Sequence, residues 1–530
     1  MKKVFSLIMT AVILLVGLLP LGVNAATTCK CDEVPIVYIR GRADIVADKT
    51  KKQSASNPAL PTVSSTELEN YIKKLIPVYS FCAVTQNFDP FAEELAKIFA
   101  EEYKDYALDK NGNVDNNSGI SLEKQWSADK LKDVHKASSK VETAKQASTE
   151  LYKYYFIYDC RIDTFEVADE LHDYITAVKN VTGHSTVKIV ARCFGSNVLS
   201  AYLSRYGWSD IEDVILYNPI MYGTDKLDCI FTGNIELTRD SIDYIANNYE
   251  PDTDMDRNLK LAAEILNTVG GFDLTTETAS YVVNYCIPEI LVETYATCPG
   301  YWSMLSADAY EEAKDFIFGY YGNTYDAIIE KTDYYHENVR LKLDEIYSQM
   351  AADGVDVHVI AKYGTQILPI MKDPFEQSDD TVNVSTQAPG TVCPKLGYTF
   401  GDAYIETAVA AGVDKYISPD RQVDASGAMF RDTTWYVKNL VHDKFPVVLD
   451  DLIYKIFRYD GTYTIDTDKK YPQYLLFETD GTNETLTPVT GVNPEDTAND
   501  NAKDIFVFIQ KIQAVIIKFI LNYFNGFVLK

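Results

Sequence analysis

Short apolar, β-branched runs recur along the chain, at 35–39, 154–158, 187–190, 213–217, 355–361 and 434–437, each closed by a loop signal. Between them, 165–178, 196–206 and 446–457 carry apolar residues at three- and four-residue spacing, the repeat of an amphipathic helix. Continuous apolar strands alternating with such helices predict an α/β fold with a mainly parallel sheet covered on both faces. Two intervals, 45–150 and 222–352, are too long for simple crossovers and are rich in helix formers and aromatics. They are expected to be helical insertions that form a cap or lid above the carboxyl edge of the sheet, where ligands bind. The sheet domain is expected over 26–460, followed by an extension and linker over 461–501, with the Thr/Asn/Asp/Pro-rich stretch 479–501 as the linker. The last segment, 502–530, reads as a helix with a wide apolar face and one polar stripe. A basic, apolar helix suits contact with a membrane or cell surface; docking on the domain itself is the other reading.

Charge and the amino terminus narrow the setting. The chain has 530 residues, with 77 acidic against 49 basic, leaving −28, a field that repels phosphate backbones and argues against a nucleic-acid partner. Lys2 and Lys3, an uncharged apolar run to Leu21, and Val23-Asn24-Ala25 read as an export signal over 1–25. Export places the nine cysteines in an oxidising compartment, where eight could pair and one is left as a free thiol. No Cys-x-x-Cys or His-rich spacing suggests a metal, and no Gly-x-Gly-x-x-Gly or Walker-type loop suggests a cofactor, so none of either is expected.

The candidate chemistry sits in Val187-Lys188-Ile189-Val190-Ala191-Arg192-Cys193-Phe194-Gly195-Ser196, a strand running through a tight turn into a helix. That is the setting of a nucleophile elbow, with small residues at Ala191 and Gly195 around a strained turn, Ala191 standing where the first Gly is usual. Cys193 holds the nucleophile position, and a thiol beside a base and a helix N-terminus needs less activation than a hydroxyl. The partners of such an elbow follow in the order acid, then histidine. The turn Ser378-Asp379-Asp380-Thr381-Val382 supplies the acid, Asp379 or alternatively Asp380, and His442 is the one histidine beyond it. The oxyanion donors are expected at the N–H of Phe194 and in the loop Arg40-Gly41-Arg42, from Arg42, with Gly41 permitting close approach.

Together with Tyr158-Asp159-Cys160-Arg161 and Tyr217-Asn218-Pro219, these motifs resemble the lecithin:cholesterol acyltransferase-like lipases and acyltransferases of the α/β-hydrolase fold, over about 34–460. The resemblance implies acyl-ester chemistry on lipid-like substrates under a lid. The chain departs from the family where Cys193 replaces Ser, where Arg40 sits in place of a common His-Gly, and where Cys160 takes a Trp position; dienelactone hydrolases are similar in using a cysteine. The reading is an exported, secreted or surface-associated acyl hydrolase or acyltransferase using Cys193, His442 and Asp379 through a thioester. The alternatives are an inactive α/β-hydrolase-fold protein that binds a lipid or a partner protein, and a surface-anchored structural protein.

Overall fold

The computed structural model describes residues 33–61, 65–143, 153–235, 276–365, 367 and 376–491; the leader at 1–25 and the tail at 502–530 lie outside the described residues. Eight strands form one sheet in the order β2-β1-β3-β4-β5-β6-β7-β8. They are β1 (Ile36–Ile39), β2 (Lys153–Phe156), β3 (Val187–Arg192), β4 (Ile211–Tyr217), β5 (Asp356–Tyr363), β6 (Thr434–Lys438), β7 (Tyr474–Thr479) and β8 (Glu484–Pro488). All neighbours are parallel except β7 and β8. The continuous apolar runs are the reason: β1, β3 and β5 are buried almost end to end, as strands covered on both faces must be.

From β1 the chain moves outward to β2, then returns to the other side of β1 as β3 and continues in that direction. The order therefore reverses between β1 and β3. Loops leaving those two strands diverge, and the crevice between them is where α/β sheets bind ligands.

The two long insertions build a second hydrophobic core. Phe91, Leu95, Phe99 and Tyr103 from the helix Asp89–Tyr103 share it with Leu291, Trp302, Tyr310 and Phe318 from the later segment. Trp302 is buried in this core and Tyr321 and Tyr325 pack against it, whereas Tyr320 is exposed. The second insertion also ends earlier than 352: Tyr335, Val339, Tyr347 and Met350 belong to the core of the sheet. There Tyr347 Oη meets Ser200 Oγ at 3.0 Å, so the helix Leu343–Ala352 packs on Gly195–Tyr206 as a crossover to β5.

Arg161 joins the two cores. It is fully buried; its fork takes Asp159 at 2.7–3.3 Å, and its remaining nitrogen donates to the Tyr106 carbonyl at 2.6 Å and Ser118 Oγ at 3.0 Å.

Two expectations are corrected. The described part of the expected extension, 461–491, belongs to the sheet, since β7 pairs with β6 and β8 closes on β7 around Asp480-Gly481-Thr482-Asn483, while 492–501 lies outside the described residues. Asp480 Oδ1 accepts from the amides of Thr482 and Asn483, and Gly481 takes φ +86. An edge strand exposes most of its side chains, so β8 is written in Thr and Glu and lacks an apolar signature. The extensive cysteine pairing is likewise absent among the described residues: all seven described cysteines are unpaired, five of them buried. No described helix is long and apolar enough to cross a membrane.

Removing the Arg161 side chain leaves the Asp159 carboxylate and the Tyr106 carbonyl without their partner at the junction. Arg161→Ala is expected to lower unfolding free energy by about 3–5 kcal/mol in urea titration; a loss below ~1 kcal/mol would show that the junction does not depend on this ion pair.

Candidate active site

The turn after β3 explains its own sequence. Cys193 has φ +49, a left-handed conformation that L residues rarely adopt. Its N–H donates to the Tyr217 carbonyl at 3.1 Å, and its carbonyl accepts from Ser196 Oγ at 2.7 Å, so both peptide groups are held. A Cβ at Gly195 would lie 2.6 Å from the Ile39 carbonyl oxygen and 2.8 Å from that of Arg40; only glycine lets the helix start this close to β1. A Cβ at Gly41 would fall 3.0 Å from Cys193 Cβ and 3.5 Å from its sulfur. The loops leaving β1 and β3 therefore touch at the half-buried Cys193 thiol.

His442 Nε2 lies 2.9 Å from Cys193 Sγ, and its Nδ1 lies 2.7 Å from Asp379 Oδ2. The second carboxylate oxygen of Asp379 accepts from the amides of Val382 at 2.8 Å and Thr381 at 3.2 Å. The Asp379 carbonyl also accepts the His442 N–H at 2.7 Å, so one residue holds the histidine by ring and by backbone. The acid turn is anchored in turn to β5: Gln387 accepts the Lys362 N–H at 2.8 Å and donates to the carbonyls of Lys362 and Val382. Asn218, buried after β4, sits against the imidazole and donates to the His442 carbonyl at 3.2 Å.

Asp379 and His442 are almost wholly buried. Burial works to lower the His442 pKa, but the Asp379 carboxylate and the Cys193 sulfur outweigh it and hold the ring well above its usual value. Asp380, the alternative acid, takes φ +78 and spends a carboxylate oxygen on Thr381 Oγ1 at 2.7 Å. Burial, with Asp379 beside it, pushes its carboxyl up to about 6.

The loop after β1, the candidate oxyanion loop, is held by Tyr158, whose hydroxyl reaches the carbonyls of both Arg40 and Gly41 at 2.7 Å. Both peptides are trans, so the N–H groups of Gly41 and Arg42 point to the opposite side from Tyr158. Among the described residues the N–H groups of Gly41 and Phe194 have no acceptor. The Arg42 side chain acts elsewhere, on the buried Tyr106, Tyr301 and Cys160 under the cap.

Sequence reading thus names Cys193, His442, Asp379, Phe194, Ala191 and Gly195, and the structure brings them to one point at the carboxyl edge of the sheet. It does not single out Gly41 as the residue against the sulfur, nor Asn218, Gln387 and Lys362 behind the histidine. The available signal is a lysine directly after the apolar stretch Val359-Ile360-Ala361. Asp159 and Arg161 form an ion pair away from this point. His184 lies in the loop before β3. No group of three or more His, Cys, Asp or Glu among the described residues is arranged to hold a metal ion. No family model and no curated protein matches this chain.

Burial pushes the thiols of Cys160, Cys229, Cys286 and Cys298 up to about 12, and those of Cys82 and Cys393 upward too. Iodoacetamide on the folded protein is therefore expected to alkylate Cys193 before any of these six, by peptide mass mapping, and His442→Ala is expected to slow that reaction about tenfold. Equal labelling of Cys193 and the buried thiols, or no effect of His442→Ala, would show that the ring does not activate the sulfur.

Proposed function

We propose that this chain is an α/β-hydrolase-type acyl hydrolase or acyltransferase that works through a thioester on Cys193. The observation that carries the reading is the line from Cys193 Sγ through His442 to Asp379, at 2.9 and 2.7 Å, where the strand order reverses. In the proposed cycle the sulfur attacks the acyl carbon, and the N–H groups of Phe194 and Gly41 receive the charge on the carbonyl oxygen. His442 Nε2 passes its proton to the departing alcohol or thiol, leaving the thioester. Water or an alcohol then attacks, His442 takes its proton, and the thiolate leaves. Asp379 fixes the tautomer and stabilises the charged ring. The aromatic cap and the family resemblance support a hydrophobic acyl ester as substrate. Export, as secreted or surface-associated protein, rests on the composition of 1–25, and surface contact rests on that of 502–530.

The first test is hydrolysis of a chromogenic ester series, short to long acyl chain, by wild type, Cys193→Ala and Cys193→Ser. Wild type is expected to release a burst of one product per site followed by slow turnover, and Cys193→Ala to lose at least about a thousandfold in kcat. Activity that survives Cys193→Ala overturns the proposal. Inert wild type with an active Cys193→Ser would place the native thiol in binding, and three inert proteins would favour the lipid- or partner-binding reading.

Loss of the Tyr158 hydroxyl frees both oxyanion-loop carbonyls without touching the sulfur. Tyr158→Phe is expected to lower kcat about tenfold with KM nearly unchanged; unchanged kcat would mean that the loop holds its shape without this hydroxyl.

A further inference from the structure

We infer that Lys362 is a positioning residue for His442: its buried ammonium holds the loop that carries the imidazole by three of that loop's own carbonyls. Lys362 is the penultimate residue of β5 and has no solvent exposure. Its Nζ donates to the carbonyls of Val441 at 2.9 Å, His442 at 2.6 Å and Lys444 at 2.9 Å. An ammonium has three N–H donors, and all three are used, each on the short stretch that contains the histidine. With the Asp379 carbonyl on the His442 N–H, the backbone of this one residue is gripped on both sides. An apolar side chain could fill the same volume, but it would leave those carbonyls without this partner in a site closed to water.

The surroundings fit a cation. The rings of Phe445 and Tyr217 lie 4.6 and 5.3 Å from Nζ, and Arg192 stacks on the same two rings at 4.5 and 5.4 Å. Asp379 and Asp380 face it from the acid turn, Asp443 from the histidine loop, and Cys193 from the elbow. Burial nonetheless brings the ammonium down to about 8, against these negative neighbours.

That shift separates two effects that otherwise move together. The folded pKa lies below the unfolded value of about 10.4, so between about pH 8 and 10.4 the unfolded chain holds a proton that the folded one has released. The contribution of this group to stability therefore rises with pH across that window. Over the same window the neutral amine has two N–H donors for three carbonyls, and its grip on the loop weakens. A positioning role predicts falling function with stability flat or rising; a merely structural role predicts that the two fall together.

The inference rests on the acyl-transfer reading only for its turnover readout. The experiment compares the full mature chain with Lys362→Met, using circular dichroism and thermal unfolding for the fold. Iodoacetamide labelling of Cys193 near pH 6 reports the pairing with His442, and ester hydrolysis reports turnover. The folded variant is expected to label Cys193 at least fivefold more slowly and to lose at least tenfold in kcat with KM within twofold. Labelling and turnover at wild-type rates in a folded Lys362→Met overturn the inference. Slow labelling with no ester turned over by wild type sinks the acyl-transfer reading and leaves Lys362 in its role. If Lys362→Met does not fold, wild type decides alone through the pH dependence of kcat and of unfolding temperature. Reversible loss of kcat centred near pH 8 at constant or rising unfolding temperature supports the role. A flat kcat, or an unfolding temperature that falls with it, rejects it.

Discussion

The geometry of the site depends on two opposite charges enclosed without solvent on either side of one histidine. The Asp379 carboxylate and the Lys362 ammonium are both fully buried. Removing such ions from water is expensive unless every lone pair and every N–H finds a partner. The partners within reach are the backbone groups of two loops, the acid turn after β5 and the histidine loop after β6. Satisfying both ions requires the loops to close on each other, and the imidazole lies where they meet. The same strand feeds both demands, because β5 ends at Lys362-Tyr363 and leads into the acid turn.

Strain at the elbow is the matching device on the sulfur side. A non-glycine residue at φ +49 carries a penalty of roughly 1–3 kcal/mol, which the fold must over-determine. The Tyr217 carbonyl, the Ser196 hydroxyl and the close approach of Gly41 and Gly195 hold it there. A thiol presented this way meets its base at 2.9 Å with no movement of the backbone. Carboxylate, ring and sulfur are thus each fixed by a different strand end, and the sheet supplies the common frame.

Much of this was legible in the chain because the relevant signals are local. Buried parallel strands need uninterrupted apolar runs, and six of the eight strands announce themselves that way. The order of elbow, acid turn and late histidine is also a linear property. What could not be read depends on pairing across distance. β8 looks like a linker because an edge strand needs few apolar residues, and the cap is expected to run to 352 because helicity alone does not say which core a helix joins. The role of Lys362 is not readable in the chain because a lysine at the end of a strand acquires meaning only when a loop some 80 positions later folds over it. The number of cysteines suggests bridges, but the described ones are single.

The divided cap has a consequence for how the molecule is made. Tyr106 and Tyr301, whose hydroxyls meet at 2.6 Å, are 195 positions apart, and the chain between them must lay down β2, β3 and β4. During synthesis the helix Asp89–Tyr103 emerges with its aromatic face uncovered and waits for the helix Thr276–Val292 to arrive. Contacts of such high sequence separation form slowly, because a long loop must close before any of them is rewarded. Until they form, the nascent chain shows an uncovered aromatic surface of the kind that chaperones shield.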